Sequence, residues 1–264
     1  MDQYIEGIDP IEIQSSRCSN KGNELSKTEF NDFRHLIGQV NWCATQVRLD
    51  ASFSNCQLSN ASKKPYISDL LTANKTVKVL KSVELKVLFS PLKNDNVSLI
   101  VFTDASFANL PFGGSQGAYV IFLVDSFGSA NILSWQSRKV RRVCNSTISA
   151  ECLAAVEAVN TAIFLKELIL ELCCWSSVNI HVVSDNKSLL QAIESVTPVD
   201  DKRLRIDISI LQECLHNKTI DRFCFVPSAQ NMANALTKQG ASCKSLLDVL
   251  NGKTKYSLTD NSFV

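Results

Sequence analysis

Apolar positions recur at three- and four-residue steps in the first third of the chain. Near residue 97 they give way to short continuous apolar runs. Residues 1–25 carry no strong periodicity and are expected to form an irregular lead-in. Ser26 followed by Glu29 reads as a capping box, in which the hydroxyl takes one orphan amide and the carboxylate reaches back to another. Phe30, Phe33, Leu36, Ile37, Val40, Ala44 and Val47 then share one helical face. Pro65 precedes a second helical pattern over 68–83, with Leu71, Val77, Leu80 and Val83 on one side. The apolar run 85–89, closed by Pro91, predicts a strand. Residues 26–92 therefore read as a mainly helical region.

The second texture predicts a sheet. The run 97–103 is a strand that ends on Asp104, Gly113 and Gly114 signal a turn, and 118–124 is a second strand. A turn over 125–128 leads to a third strand at 131–137, and three strands so closely joined make an antiparallel meander. A long helix follows over 147–174, with Ala155, Val159, Ala162, Leu165, Leu168 and Leu172 as its apolar stripe. Next come a strand at 178–183, helices near 187–195 and 202–216, and a fifth strand at 221–226 stopped by Pro227. Helices over 231–238 and 242–250 close the pattern. The fold class is α/β: a five-stranded mixed sheet flanked by helices over 97–240, with a C-terminal helix and tail over 241–264.

Composition narrows the function. With 264 residues and 45% hydrophobic positions the chain can bury a core, which excludes wholesale disorder. Lys and Arg number 27 against 26 Asp and Glu, so nucleic-acid binding has to come from a local patch and not from the overall field. The apolar run 119–124 is far short of the ~20 residues a membrane helix needs, and no membrane partner is expected. The first ten residues are acidic and lack an apolar stretch, so no secretory signal is expected. Ten cysteines without any CxxC spacing then suggest reduced, buried thiols in an intracellular protein, cytoplasmic or nuclear. His35, His181 and His216 do not cluster, which argues against zinc, and no Gly-rich loop precedes a Lys-Ser/Thr pair.

Three acids stand out by position. Asp104 closes the first strand, Asp185 closes the fourth, and Glu151 lies in the first turns of the long helix. If the first and fourth strands are parallel neighbours, the two aspartates emerge at one edge and the helix can bring Glu151 beside them. Three carboxylates that close repel one another unless a cation neutralises them. Hard divalent ions answer that need, Mg2+ first, with Mn2+ as the substitute. Two such ions ~4 Å apart can activate a water and stabilise a departing oxygen in phosphodiester hydrolysis. Taken singly, each residue also reads as a turn, cap or helix-dipole residue; the case rests on all three together. Arg138, Lys139, Arg141 and Arg142 precede the Glu151 turn, and Lys202, Arg203 and Arg205 open a later helix. Both clusters can contact phosphates without reading sequence; the plainer reading is a solvated face. Trp135 and Trp175 read as core residues.

Six blocks in order carry a resemblance: FTDASFAN at 102–109, ILSWQSRK at 132–139, STISAECLAA at 146–155, SDNKSL at 184–189, DKRLRIDI at 201–208 and ANALTK at 233–238. Together they resemble the ribonuclease H domain of copia-type retrotransposon Pol polyproteins. LIGQVNWCAT at 36–45 is similar to the segment that joins reverse transcriptase to that domain. The resemblance implies a ribonuclease H-like fold and two-metal hydrolysis of RNA paired to DNA. It also implies a reverse transcriptase acting in cis or in trans. By position, Asp104, Glu151 and Asp185 match three of the four family acids, while Asn234 stands where the family has Asp. An amide oxygen can coordinate an ion but brings no charge, so the second metal should be held more weakly. Restoring Asp at 234 is expected to raise activity, and Asp185→Asn to abolish it. Milder departures are Phe112 in place of a polar turn residue and Leu49 in place of Pro before Asp50. Asp200 and Asp201 follow Pro198 and Val199 and lack the hairpin setting of a polymerase pair, so the chain is not expected to copy nucleic acid. It looks like the C-terminal piece of a Pol polyprotein. The rival readings are an inactive remnant that only binds nucleic acid or serves structurally, and a DNA-cleaving nuclease or integrase on the same fold.

Overall fold

Two short helices, α1 (Asp2–Glu6) and α2 (Ser15–Cys18), open the chain. The computed structural model describes residues 1–93 and 96–256. It divides the chain into two compact units, Met1–Leu85 and Lys86–Val264. In the first unit the Ser26 hydroxyl accepts from the Glu29 N–H, and the Glu29 carboxylate accepts from the Ser26 N–H at 2.7 Å. This capping box starts α3 (Lys27–Gln46). A 3-10 turn at Leu49–Ala51, α4 (Ser52–Ala61) and α5 (Ile67–Ser82) complete the unit. Phe33, Leu36 and Val40 pack with Leu58, Leu70, Val77 and Leu80 in one core, and Ile5 and Ile8 from the opening stretch join it. The Asn74 amide ties that stretch down by bonding both the N–H and the C=O of Ile11 at 2.8 Å.

Helix α4 is not marked by hydrophobic spacing, because its inner side mixes buried Ser52 and Asn55 with Phe53, Cys56 and Leu58. Next to it lies a buried ion pair: the Arg48 guanidinium donates to both carboxylate oxygens of Asp50, at 2.9 and 2.7 Å, and also to the Leu80 carbonyl. Both side chains of the pair are about as buried as core residues, at 4% and 6% exposure.

The strand expected at 85–89 does not form. Backbone groups there turn elsewhere: the Lys86 N–H goes to the Asn251 side chain and the Leu88 N–H to the Leu250 carbonyl. The sheet of the second unit holds β1 (Val97–Leu110), β2 (Gly114–Asp125), β3 (Ala130–Lys139), β4 (Asn179–Ser184) and β5 (Arg222–Phe225). Its order is β3-β2-β1-β4-β5, with β1, β2 and β3 antiparallel and β4 and β5 parallel to β1. Asp104 does not close β1. The strand runs on to Leu110 because β2 continues opposite it, pairing Asp104 with Ala118 and Ser106 with Gln116.

Between β3 and β4 runs α6 (Thr147–Cys173), capped by the Ser146 hydroxyl, which accepts from the Ser149 N–H. Its buried face is made of small residues, Ala150, Ala154, Ala155, Ala158 and Ala162, so the helix lies close on the sheet. It approaches closely at Gly117 of β2, where an added Cβ would stand 3.2 Å from the Ala154 methyl and 3.3 Å from Val140. The expected stripe holds from Ala155 to Ala162 and then diverges: Leu168 and Leu172 are exposed, and Ile169 is buried instead. Successive three-residue steps swing off the inner face by about 60° each, which the sequence pattern conceals.

Helices α7 (Lys187–Glu194) and α8 (Lys202–His216) follow β4, and Leu190, Leu204, Ile208 and Leu211 join the core formed by α6 and the sheet. In place of the α-helix expected over 231–238 there are two 3-10 turns, Ser228–Gln230 and Met232–Leu236. α9 (Lys244–Leu250) buries Leu246, Val249 and Leu250. Of the expected C-terminal tail, residues 257–264 lie outside the described residues.

Candidate active site

Parallel pairing of β1 with β4 sets Phe102 opposite Val183. Two residues further along come Asp104, still within β1, and Asp185, one residue past the end of β4. The first turns of α6, held down at Gly117 and Ala154, bring in Glu151. One carboxylate oxygen from each of the three acids lies within 4.8 Å of the others. Asp104 is fully buried and Glu151 is 4% exposed, whereas Asp185 is half-buried.

Electrostatics make this a costly arrangement without a cation. Burial, followed by the charges of Asp104 and Asp185, pushes Glu151 up to about 9. Burial likewise raises Asp104 to about 6, against the opposing pull of Lys238 and a hydrogen bond from Thr237. Glu151 Oε2 is buried and has no hydrogen-bond partner. A buried carboxylate with an orphaned oxygen, in a cluster of hard oxygen donors, fits a divalent cation.

The 3-10 segment near the end of the unit builds the other side of the site. The Asn231 amide donates to Asp185 Oδ1 at 3.2 Å and to the Thr103 carbonyl at 2.8 Å, while its own oxygen caps the Met232–Leu236 turn. The Thr237 hydroxyl donates to Asp104 Oδ2. Lys238 Nζ donates to Asn234 Oδ1 and lies 3.4 Å from Asp104 Oδ1, so Asn234 is joined to Asp104 through the ammonium. Gln116 and Ser137 pin the segment by donating to the Leu236 carbonyl. Asn231, Thr237 and Lys238 were not singled out from the sequence. Thr237 and Lys238 sit inside the ANALTK block and Asn231 just ahead of it, and only tertiary contact shows what they touch.

The basic residues divide. Arg138 pairs with Glu157, and Arg142 pairs with buried Asp207 of α8. Lys139, Arg141, Lys202 and Arg203 are exposed. Arg205 is exposed too, although its Nε donates to the Val199 carbonyl. The Arg142–Asp207 pair and a 3.2 Å bond from Asn145 to Asp201 tie the loop before α6 to the start of α8. Arg142 and Arg203 consequently line one cleft with Ser149 and Asp201. Two clusters far apart in sequence meet on one side of the α6 N-terminus.

No protein-family profile and no curated protein matches the chain. Among solved structures, it is similar to the LC11-RNase H1 isolated from compost by a metagenomic approach, at 16% identity and a TM-score of 0.40. That match covers 56% of this chain and 98% of the other, and the same enzyme has been solved in complex with an RNA/DNA hybrid. RNase H1 of Halobacterium salinarum is 19% identical with a TM-score of 0.35, over 53% of this chain and 93% of that one. The protease-reverse transcriptase of prototype foamy virus is 14% identical with a TM-score of 0.34, over 76% of this chain and 29% of its own. No helix among the described residues is long and apolar enough to cross a membrane.

Proposed function

We propose that the chain is a retrotransposon-derived ribonuclease H-like hydrolase of the copia type, which cuts the RNA strand of an RNA/DNA hybrid with Mg2+ or Mn2+. The observation that carries this reading is the convergence of Asp104, Glu151 and Asp185, with Glu151 Oε2 buried and unpartnered. The six sequence blocks add the substrate class and the origin, as a resemblance. Asp104, Glu151 and Asp185 would hold the cation, whose chemistry is to neutralise phosphate charge and make water acidic enough to attack. Thr237 fixes the rotamer of Asp104, and Asn231 that of Asp185. The basic cleft formed by Arg142 and Arg203, with Lys139, Arg141, Lys202 and Arg205 exposed around it, supplies phosphate contacts that position a duplex without reading bases. A reverse transcriptase in cis or in trans would produce the hybrid.

A second reading is favoured by one observation. Asn234 brings no charge, and its oxygen is already engaged by Lys238; a remnant that binds hybrid without turnover would look the same. The test is cleavage of an end-labelled RNA/DNA hybrid with Mg2+ and then Mn2+, with Asp185→Asn as control. Metal-dependent cleavage that vanishes in the control supports the enzyme. A folded protein that binds hybrid and cuts with neither ion supports the remnant.

A further inference from the structure

Resting on the hydrolase reading, we propose that the site takes a single divalent cation and that the Lys238 ammonium stands in the place of a second one. Once a bound cation has displaced the Glu151 proton, Asp104, Glu151 and Asp185 contribute three negative charges, and Asn234 contributes none. One dication and one ammonium cancel that sum, whereas two dications plus the ammonium overshoot it.

Geometry points the same way. A second ion bridging Asp104 to the residue at 234 would need oxygens from both, and those are the two oxygens Lys238 Nζ reaches. Mg2+ demands ligands at ~2.0–2.1 Å and cannot share that point with an ammonium. Lys238 is also braced there. The turn before it is fixed by the bonds of Gln116 and Ser137 to the Leu236 carbonyl, and Thr237 is anchored on Asp104. Glu151, which lies in the carboxylate cluster and keeps an oxygen without a partner, is left to hold the single ion with Asp104 and Asp185. Lysine also differs from a metal in a way that matters for chemistry, since it delivers a fixed positive charge at any Mg2+ concentration.

The experiment is Mn2+ titration of the folded, metal-stripped protein by calorimetry and by electron paramagnetic resonance, with no nucleic acid present. The wild type is expected to bind one equivalent, and Lys238→Arg, which keeps the charge, one as well. Asn234→Asp combined with Lys238→Met is expected to bind two equivalents, with the spectral broadening of a coupled Mn2+ pair. Lys238 is 43% exposed, so its replacement does not open a core. Two equivalents in the wild type, none at all, or a double variant that still binds one would each overturn the proposal. Hybrid cleavage measured on the same samples separates the two ideas. One equivalent without cleavage overturns the hydrolase reading and leaves the stoichiometry standing; cleavage with two equivalents does the reverse.

Discussion

The two units handle buried charge in opposite ways. In Met1–Leu85, Asp50 is buried against Arg48 with both carboxylate oxygens bonded, and the remaining guanidinium nitrogen takes the Leu80 carbonyl. In the second unit three acids converge with one lysine at their margin, and a carboxylate oxygen is left with nothing. A closed pair such as the first has no capacity left for a ligand; it fixes local structure. An open cluster destabilises its own fold until something binds, and that imbalance marks a site as chemical.

The largest expected effect breaks the open cluster. Asp185→Asn should lower hybrid cleavage on the order of 10^3-fold or more, about 4 kcal/mol in the barrier, measured with labelled substrate at saturating Mn2+. Next comes the closed pair. Arg48→Met leaves Asp50 buried without its partner and should cost about 3–5 kcal/mol in urea unfolding of the first unit. The double change Arg48→Met with Asp50→Leu should recover most of that loss; if it does not, the pair matters for shape and not for charge.

A third test sharpens the contrast through pH. Glu151 titrates at about 9 when folded, against an ordinary value of 4.5, so between those limits the folded chain holds a proton that the unfolded chain has lost. Stability of the metal-free protein is therefore full below 4.5 and falls as pH rises through 9. From pH 6 to pH 8 the loss should be roughly 2–3 kcal/mol in thermal or urea unfolding. Glu151→Gln, or added Mn2+, should flatten the dependence. A slope that survives Glu151→Gln would place the burden on another group. The smallest effect is Ser26→Ala, which removes the capping box of α3 for about 1 kcal/mol and should leave Mn2+ affinity untouched.

Much of this was legible in the sequence, for physical reasons. The five strands show because their runs are apolar and their turns carry Gly or Pro, and α3 shows because Ser26 and Glu29 cap it. Helix α4 does not show, since Ser52 and Asn55 face inward and spoil the period. The run at 85–89 looks like a strand, but local pattern carries no information about partners, and Asn251 and Leu250 claim its amides. In the site, the setting of Asp185 at the end of β4 was visible, whereas Asp104 lies within β1, which continues past it because β2 is there to pair with it. Asn231, Thr237 and Lys238 were silent: a polar side chain flanking a 3-10 turn looks like any capping or solvated residue until the strand opposite it is known.

The parallel pairing of β1 with β4 has a further consequence. Val101 meets Val182 only after β2, β3 and the whole of α6 have been laid down, so the acids share no local segment. Closing so long a loop is slow, and the ion's coordination sphere can exist only once it has closed. On the proposed reading the cation would be a ligand of the finished sheet and of nothing shorter, and its binding would add to the stability of the second unit by mass action.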